Sequence, residues 1–158
     1  MNMPDRRYPA SRMLDDLGDR TNLMFLTVCT NGRKPILNRP DVRELLKSIW
    51  GSGAHWLVGR YVLMPDHLHL FCMPTVREPE NVRDWAAYWK SRSSARWPRF
   101  EEQPVWQRAA WDRQLRRGES YGAKWESVRN NPVRAGLVVC ADDWPFQGEW
   151  DRLAWHEP

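Results

Sequence analysis

Apolar residues along the chain form several runs typical of β-strands. "NLMFLTVCT" (22–30) is a β-branched and aromatic run that ends at the turn signal "NGRKP". "HWLVGRYVLM" (55–64) and "DHLHLFCM" (66–73) follow, and the short link around Pro65 predicts that they form an antiparallel hairpin. "PVWQRAAWDRQL" (104–115) is ambiguous, but its side chains would alternate as a fourth strand.

Three other stretches carry apolar residues at helical spacing. In "RPDVRELLKSIWGSG" (39–53), Pro40 and Asp41 mark a helix start and Gly51 its end. "PENVRDWAAYWKSRSSARW" (79–97) predicts a second amphipathic helix. "GESYGAKWESVRNNP" (118–132) predicts a third, which Pro132 ends.

The order of these elements predicts the fold. Strand, helix, strand, strand, helix and strand give the β-α-β-β-α-β arrangement of ferredoxin-like α+β folds, with an antiparallel sheet and an appended C-terminal helix. We expect one domain over residues 1–158, with a loose N-terminal arm at 1–20 and a C-terminal packing tail at 133–158.

The cysteines and the apolar runs indicate the compartment. Cys29, Cys72 and Cys140 are odd in number and far apart, which favours a reducing environment over a disulfide framework. No window approaches about 18 consecutive apolar residues, and the N-terminus lacks a signal-peptide core. We therefore expect a soluble cytoplasmic protein that does not enter the membrane.

The balance of charge favours an anionic partner. Lys plus Arg number 24 against 20 Asp plus Glu, and only four of the 24 are lysine. Guanidinium groups bind phosphate in a bidentate fork, and the eleven tryptophans often stand near arginines, as surfaces for unpaired bases do. A GC-rich genome would also raise the arginine content, and most of the indoles are expected in the core.

His67 and His69 are the first candidates for chemistry. At positions i and i+2 of a strand they project from the same face, about 7 Å apart at Cα, and imidazoles so placed can converge on one divalent ion. A hydrogen-bonded structural histidine pair is the alternative.

Tyr121 is the second candidate. It lies near the start of the third helix, close in sequence to Arg116, Arg117 and Lys124. A phenol becomes a useful nucleophile when a metal polarises its target or a cation stabilises the phenolate. A half-buried helix tyrosine without any catalytic role remains the alternative.

Together these segments resemble a known family. "YVLMPDHLHLF", followed by "WQRAAWDRQLR" and by "ESYGAKWESVRNNPVRAGLV", is similar in content and order to the REP-associated tyrosine transposases, which are relatives of the HUH single-strand endonucleases. "FLTVCTNGR" looks like the first strand of that family. The resemblance extends over most of the chain.

The resemblance implies a mechanism and a substrate. It implies a ferredoxin-like HUH domain in which His67 and His69 hold Mg²⁺ or Mn²⁺ and Tyr121, on a catalytic helix, attacks a phosphate. The product would be a 5′-phosphotyrosine bond and a free 3′-hydroxyl on single-stranded DNA. The implied targets are repeat hairpins with a short single-stranded flank, and a monomer is favoured, with a homodimer left open.

The sequence departs from the family at the third metal ligand. Relatives place a Gln, His or similar group one helical turn after the tyrosine, where this chain has Lys124 and Trp125. Glu126 is the nearest carboxylate, but it is rotated roughly 140° around the helix from Tyr121. We therefore expect Glu126 at most as a weak ligand, and Lys124 as a partner for phosphate or phenolate.

Cations before, within and after the predicted helices are candidates for DNA binding. They are Arg33, Lys34, Lys90, Arg92, Arg113, Arg116, Arg117, Arg129 and Arg134. The leading hypothesis is thus a metal-dependent, sequence-specific single-strand endonuclease and strand transferase. A hairpin-binding protein of the same fold without catalysis, and a small metallohydrolase with a water nucleophile, are the other hypotheses.

Overall fold

The computed structural model describes residues 23–52 and 55–158, which form an antiparallel sheet packed with helices. The predicted N-terminal arm lies outside the described residues. The helices are α1 (Pro40–Ser52), α2 (Val82–Ala95), α3 (Tyr121–Arg129) and the short α4 (Asn131–Arg134). The strands are β1 (Met24–Cys29), β2 (Trp56–Leu63), β3 (His67–Pro74), β4 (Trp111–Gln114) and β5 (Gln147–Glu149). Their order across the sheet is β4-β1-β3-β2-β5, and the predicted α+β class with an antiparallel sheet is confirmed.

Helices α1 and α2 cover one face of the sheet. Buried indoles from both helices, including Trp50 and Trp89, pack in one cluster with Leu68 and Leu70 of β3. The side chain of Asn81 caps α2 by accepting a hydrogen bond from the Asp84 N–H, which fixes where that helix begins. Because side chains alternate along a strand, this packing turns His67 and His69 to the other face.

Among the described residues, the opposite face is covered mainly on the β2 side. Leu57 of β2 and Phe71 of β3 pack there with Tyr121 of α3 and with Leu153 from the C-terminal segment. A smaller cluster beside them joins Val62 of β2 to Met64 and Trp144. The histidine pair and Tyr121 therefore share one face of the sheet.

Four local predictions need correction. The fourth strand is only the last part of 104–115, and Trp106 instead forms an isolated bridge to Thr30. Helix α1 continues through Gly51, because its last turn stays packed through the buried Trp50. Pro132 lies in the first turn of α4, where its missing N–H costs nothing, so it redirects the chain. The C-terminal tail contributes β5, which pairs with β2.

Among the described residues, no helix has both the length and the apolar character that crossing a bilayer requires.

Candidate metal and nucleic-acid site

The two histidines lie side by side at the start of β3. Their ring centroids are 4.9 Å apart and the ring planes are nearly perpendicular. Leu68, between them in sequence, is fully buried on the opposite face. The alternation of β3 therefore presents both imidazoles together and anchors the strand behind them.

Each imidazole makes a hydrogen bond through its Nδ1 atom. The Nδ1 of His67 lies 2.8 Å from an Asp66 carboxylate oxygen, and the Nδ1 of His69 lies 2.8 Å from the Thr27 hydroxyl oxygen. A carboxylate only accepts hydrogen bonds, so the Nδ1 of His67 carries the proton and its Nε2 has the free lone pair. Metal-ligating histidines are oriented by outer partners of this kind.

Asp66 is itself fixed by a cation. The Nε of Arg33 donates to Asp66 at 2.9 Å. Although burial opposes the effect, hydrogen bonds from His67 and Arg33 lower the pKa of the Asp66 carboxyl. Arg33, which was predicted to contact DNA, pairs with Asp66 next to the histidine pair, and its side chain is 53% exposed.

His69 is neutral at ordinary pH. Burial first, and then the nearby charges of His67 and Arg134, lower the pKa of His69 to about 4. Phe25 stacks on its ring at a centroid distance of 5.2 Å. A metal binds the neutral imidazole, so this environment keeps His69 in the form that a metal requires.

The pair fits a divalent ion only in part. Two adjacent imidazoles suit a first-row ion such as Mn²⁺. Within 23–52 and 55–158, however, no group of three or more His, Cys, Asp or Glu side chains is arranged to hold a metal. Glu126, the predicted weak ligand, is exposed and pairs with Arg129. Oxygen atoms from outside the chain would have to complete the coordination shell.

Tyr121 is the first residue of α3 and is buried. Ser120 caps the helix by accepting from the Ala123 N–H, and only 4% of Tyr121 is exposed. Its hydroxyl accepts a hydrogen bond from the Arg60 N–H at 3.2 Å, where the register of β2 is irregular. Its ring packs against Phe71, the next residue of β3 on this face after His69.

The surroundings of Tyr121 do not favour a phenolate. Burial raises the pKa of the Tyr121 hydroxyl, and the Arg60 guanidinium, stacked 4.8 Å from the ring centroid, opposes this only in part. The predicted nucleophile therefore shares a face with the histidines, but its hydroxyl is directed at β2 and away from solvent.

Lys90 does not suit the predicted contact with DNA. Its side chain is buried, and its Nζ donates to the backbone carbonyls of Gln107 and Arg108. The Nζ of Lys34 likewise donates to the backbone carbonyls of Glu102 and Pro104. Both ammonium groups hold the segment that leads to β4, and for Lys90 the structure contradicts the prediction.

The remaining predicted cations divide between the two faces. Arg92 lies on α2, over the ring of the exposed Tyr88. Near the start of α3, the Glu119 carboxylate forms ion pairs with Arg113 at 3.2 Å and with Lys124 at 3.7 Å. Of the other late arginines, Arg116 and Arg117 lie between β4 and α3, Arg129 is the last residue of α3, and Arg134 is the last residue of α4.

Two residues of this site were not predicted. Asp66 directly precedes His67, so its adjacency was a visible signal. The role of Thr27 could not be predicted from the sequence, because its contact with His69 joins positions 42 residues apart.

Comparison with known proteins supports the resemblance seen in the motifs. No protein-family model matches the chain. A REP-associated tyrosine transposase of Escherichia coli strain K12 is 27% identical over 56% of this chain and 52% of its own length. A Haemophilus influenzae protein named as a candidate member of the same group is 28% identical over 53% of each chain.

A solved structure is similar in fold. It is described as a REP-associated tyrosine transposase bound to a REP hairpin, and it matches with a TM-score of 0.63 at 22% identity over 80% of this chain and 75% of that one. The predicted resemblance is thereby confirmed. The matched part of this chain spans about half the length of the two curated relatives.

Proposed function

We propose that the chain is a transposase-like DNA-processing protein that acts on single-stranded or hairpin DNA of the REP type. The observation that carries this proposal is the histidine pair, since the Nδ1 atoms of both rings lie within hydrogen-bonding distance of Asp66 and Thr27. Outer partners of this kind orient the imidazoles of metal sites, and the two rings lie next to each other. The names of the similar proteins point to the same substrate.

His67 and His69 would hold Mn²⁺ or Mg²⁺ in this function. A bound divalent ion supplies Lewis-acid polarisation of a phosphate oxygen. The chain's own contribution is to keep His69 neutral and, through Asp66, to keep a proton on the Nδ1 of His67. With two protein ligands, positions remain for oxygen atoms of the DNA.

Tyr121 is the proposed nucleophile. Its phenolic oxygen would form a bond to the phosphorus while the bond from phosphorus to the 3′-oxygen breaks, which leaves a 5′-phosphotyrosine and a free 3′-hydroxyl. The phenolic proton leaves to solvent in this step, and the departing 3′-oxygen takes up a proton to become the free hydroxyl. Since the hydroxyl is buried against Arg60, the start of α3 has to move from β2 before attack.

A ferredoxin-like topology is part of the proposal. The order β4-β1-β3-β2, with α1 and α2 as connections that pack on one face, supports it. β5 then extends the sheet beyond β2.

A second function is favoured by the same observations on Tyr121. If α3 does not move, a buried hydroxyl and only two metal ligands describe a protein that binds hairpins without cutting them. This function predicts DNA binding that depends on salt but not on a divalent ion.

Covalent trapping separates the two functions. A labelled REP-type hairpin oligonucleotide with a single-stranded flank is incubated with the protein and Mn²⁺, and the products are resolved under denaturing conditions. We expect a protein–DNA adduct that EDTA, Tyr121→Phe and His67→Ala each abolish, with Tyr88→Phe on α2 as the matched control. Binding without an adduct would support the second function, and an adduct that persists in Tyr121→Phe would exclude Tyr121 as the nucleophile.

A further inference from the structure

Near the histidines, the described residues leave this face of the sheet open on the side of β1 and β4. On the β2 side, Leu57 and Val62 are buried beneath α3 and the C-terminal segment. On the other side, Phe25 and Thr27 of β1 are only partly buried, and Trp111 of β4 is 54% exposed. A strand of DNA that approaches the histidines over the described surface therefore meets β1 and β4 first.

Trp111 stands in line with the site across the sheet. It pairs with Thr27 of β1, and Thr27 pairs with His69 of β3. Directly paired residues of an antiparallel sheet project from the same face. Adjacent strands are about 4.8 Å apart, so the backbone of Trp111 lies about 10 Å from that of His69.

We propose that Trp111 is the stacking platform for an unpaired base of the DNA strand whose phosphate reaches His67 and His69, an inference that rests on the proposed function. Exposed indoles stack on bases of any sequence, because every base has a π-face. Thr27 sits between the platform and His69, so one residue would hold the imidazole while its neighbour holds the base.

The charge around Trp111 favours a nucleic-acid strand as the occupant. Arg113, two residues further along β4, projects from the same face and lies opposite Phe25. Its guanidinium is half exposed and is kept in place by Glu119. Arg116 and Arg117 follow within three residues after β4 ends, so cations accompany the indole along the route that a phosphate backbone would take.

Another exposed aromatic residue provides a matched control. Phe100 is 87% exposed, but it follows α2 in a segment whose buried residues, Trp97 and Val105, belong to the core on the helix-covered face. An aromatic side chain there lies away from the histidine face. Loss of Phe100 should therefore leave DNA binding unchanged.

The test measures binding of a fluorescent hairpin with a single-stranded flank, in EDTA so that catalysis does not contribute. We expect Trp111→Ala and Trp111→Leu to weaken binding about 10-fold, since loss of one stacked base is worth roughly 5- to 150-fold. Trp111→Phe should stay within about 3-fold of the wild type, because it retains an aromatic face. Phe100→Ala should match the wild type.

Abasic substitution identifies the stacked base. Removing one base of the flank should weaken binding to the wild type, and the same removal should cost little in Trp111→Ala, because the two changes delete one contact. Unchanged binding in both Trp111→Ala and Trp111→Leu, or abasic penalties that all persist in those variants, would overturn the inference. The proposed function would survive that result if the wild type still forms the adduct, whereas failure of the wild type to bind any hairpin would overturn both.

Discussion

At the level of single residues, the two histidines differ in what holds them. Asp66 gives His67 a charged partner, and Arg33 secures that carboxylate. His69 has a neutral partner in Thr27, and the ring of Phe25 stacks on its imidazole. Removal of the Asp66 side chain should therefore change metal binding while both imidazoles stay present.

We predict that Asp66→Ala weakens Mn²⁺ binding by about 10- to 100-fold, because outer partners of ligating histidines contribute on that scale. The affinity is measured by titrating the protein with Mn²⁺ and quantifying the free ion from its electron paramagnetic resonance signal. Asp112→Ala is the control, since Asp112 pairs with Arg83 of α2 and its side chain projects from the helix-covered face. Equal affinities in the two variants would show that Asp66 does not orient a ligand.

At the level of elements, α3 is fixed by its contact with β2 and with the C-terminal segment. A Cβ atom added at Gly59 of β2 would lie 2.6 Å from Leu153 and 2.9 Å from the Tyr121 hydroxyl. Real Cβ contacts are not that short, so the absence of a side chain at Gly59 is what lets Tyr121 and Leu153 reach the strand.

We predict that Gly59→Ala lowers the free energy of unfolding by about 1–3 kcal/mol, the usual cost of overpacking. Gly122→Ala, in the first turn of α3, should be neutral or slightly stabilising, because its new Cβ would meet only ordinary contacts at 3.6 Å or more. Urea unfolding of both variants tests the pair. A Gly59→Ala protein as stable as the wild type would mean that Leu153 and Tyr121 do not pack against β2.

A second link between elements depends on pH. The Glu102 carboxylate accepts hydrogen bonds from Arg39 at 2.8 Å and from Trp97 at 3.0 Å. The Arg39 bond is the main cause that lowers the pKa of Glu102 from its ordinary value of 4.5. A lowered carboxyl pKa stabilises the fold above pH 4.5, and that contribution is lost as the pH falls through the lower folded-state value.

Glu102→Gln should therefore lower the free energy of unfolding by about 1–2 kcal/mol at pH 7. The difference from the wild type should shrink as the pH falls below 4.5. Urea midpoints at pH 7 and pH 3.5 measure it, with the exposed neighbour Glu101→Gln as control. A difference that stays constant between the two pH values would exclude the charge of Glu102 as its source.

The sequence predicted the elements whose signals are local. The β2–β3 hairpin and α1 follow from alternation, a short link and a proline at a helix start, all within about twenty residues of chain. The length of β4 and the existence of β5 depend on pairing with β1 and β2 at long range, which no local pattern reveals. For the same reason the face shared by His67, His69 and Tyr121 was only partly predictable. The strand period gives the histidines, but the burial of Tyr121 depends on Gly59 and Leu153.

At the level of the whole molecule, the sheet separates a helix-covered face from a histidine face. The predicted DNA-binding cations lie on both sides of this division, and only those on the histidine side suit the proposed function. Arg113, half exposed on β4, lies on the histidine side, and Arg92 on α2 represents the other.

We predict that Arg113→Gln weakens hairpin binding and reduces the slope of log affinity against log salt by about 1, because one phosphate contact is lost. Arg92→Gln should leave affinity and slope as in the wild type. Anisotropy titrations between 50 mM and 200 mM salt test both variants. If Arg92→Gln reduces the slope and Arg113→Gln does not, the DNA lies on the helix-covered face.

The position of a metal ion tests the central claim most directly, namely that the histidine pair holds a divalent ion against bound DNA. Crystals grown with Mn²⁺ and a hairpin oligonucleotide would be measured for anomalous scattering. We expect a single strong peak about 2.2 Å from the Nε2 atoms of both His67 and His69, with the Nδ1 atoms still on Asp66 and Thr27. DNA bound in the crystal with no peak between these two rings would contradict it.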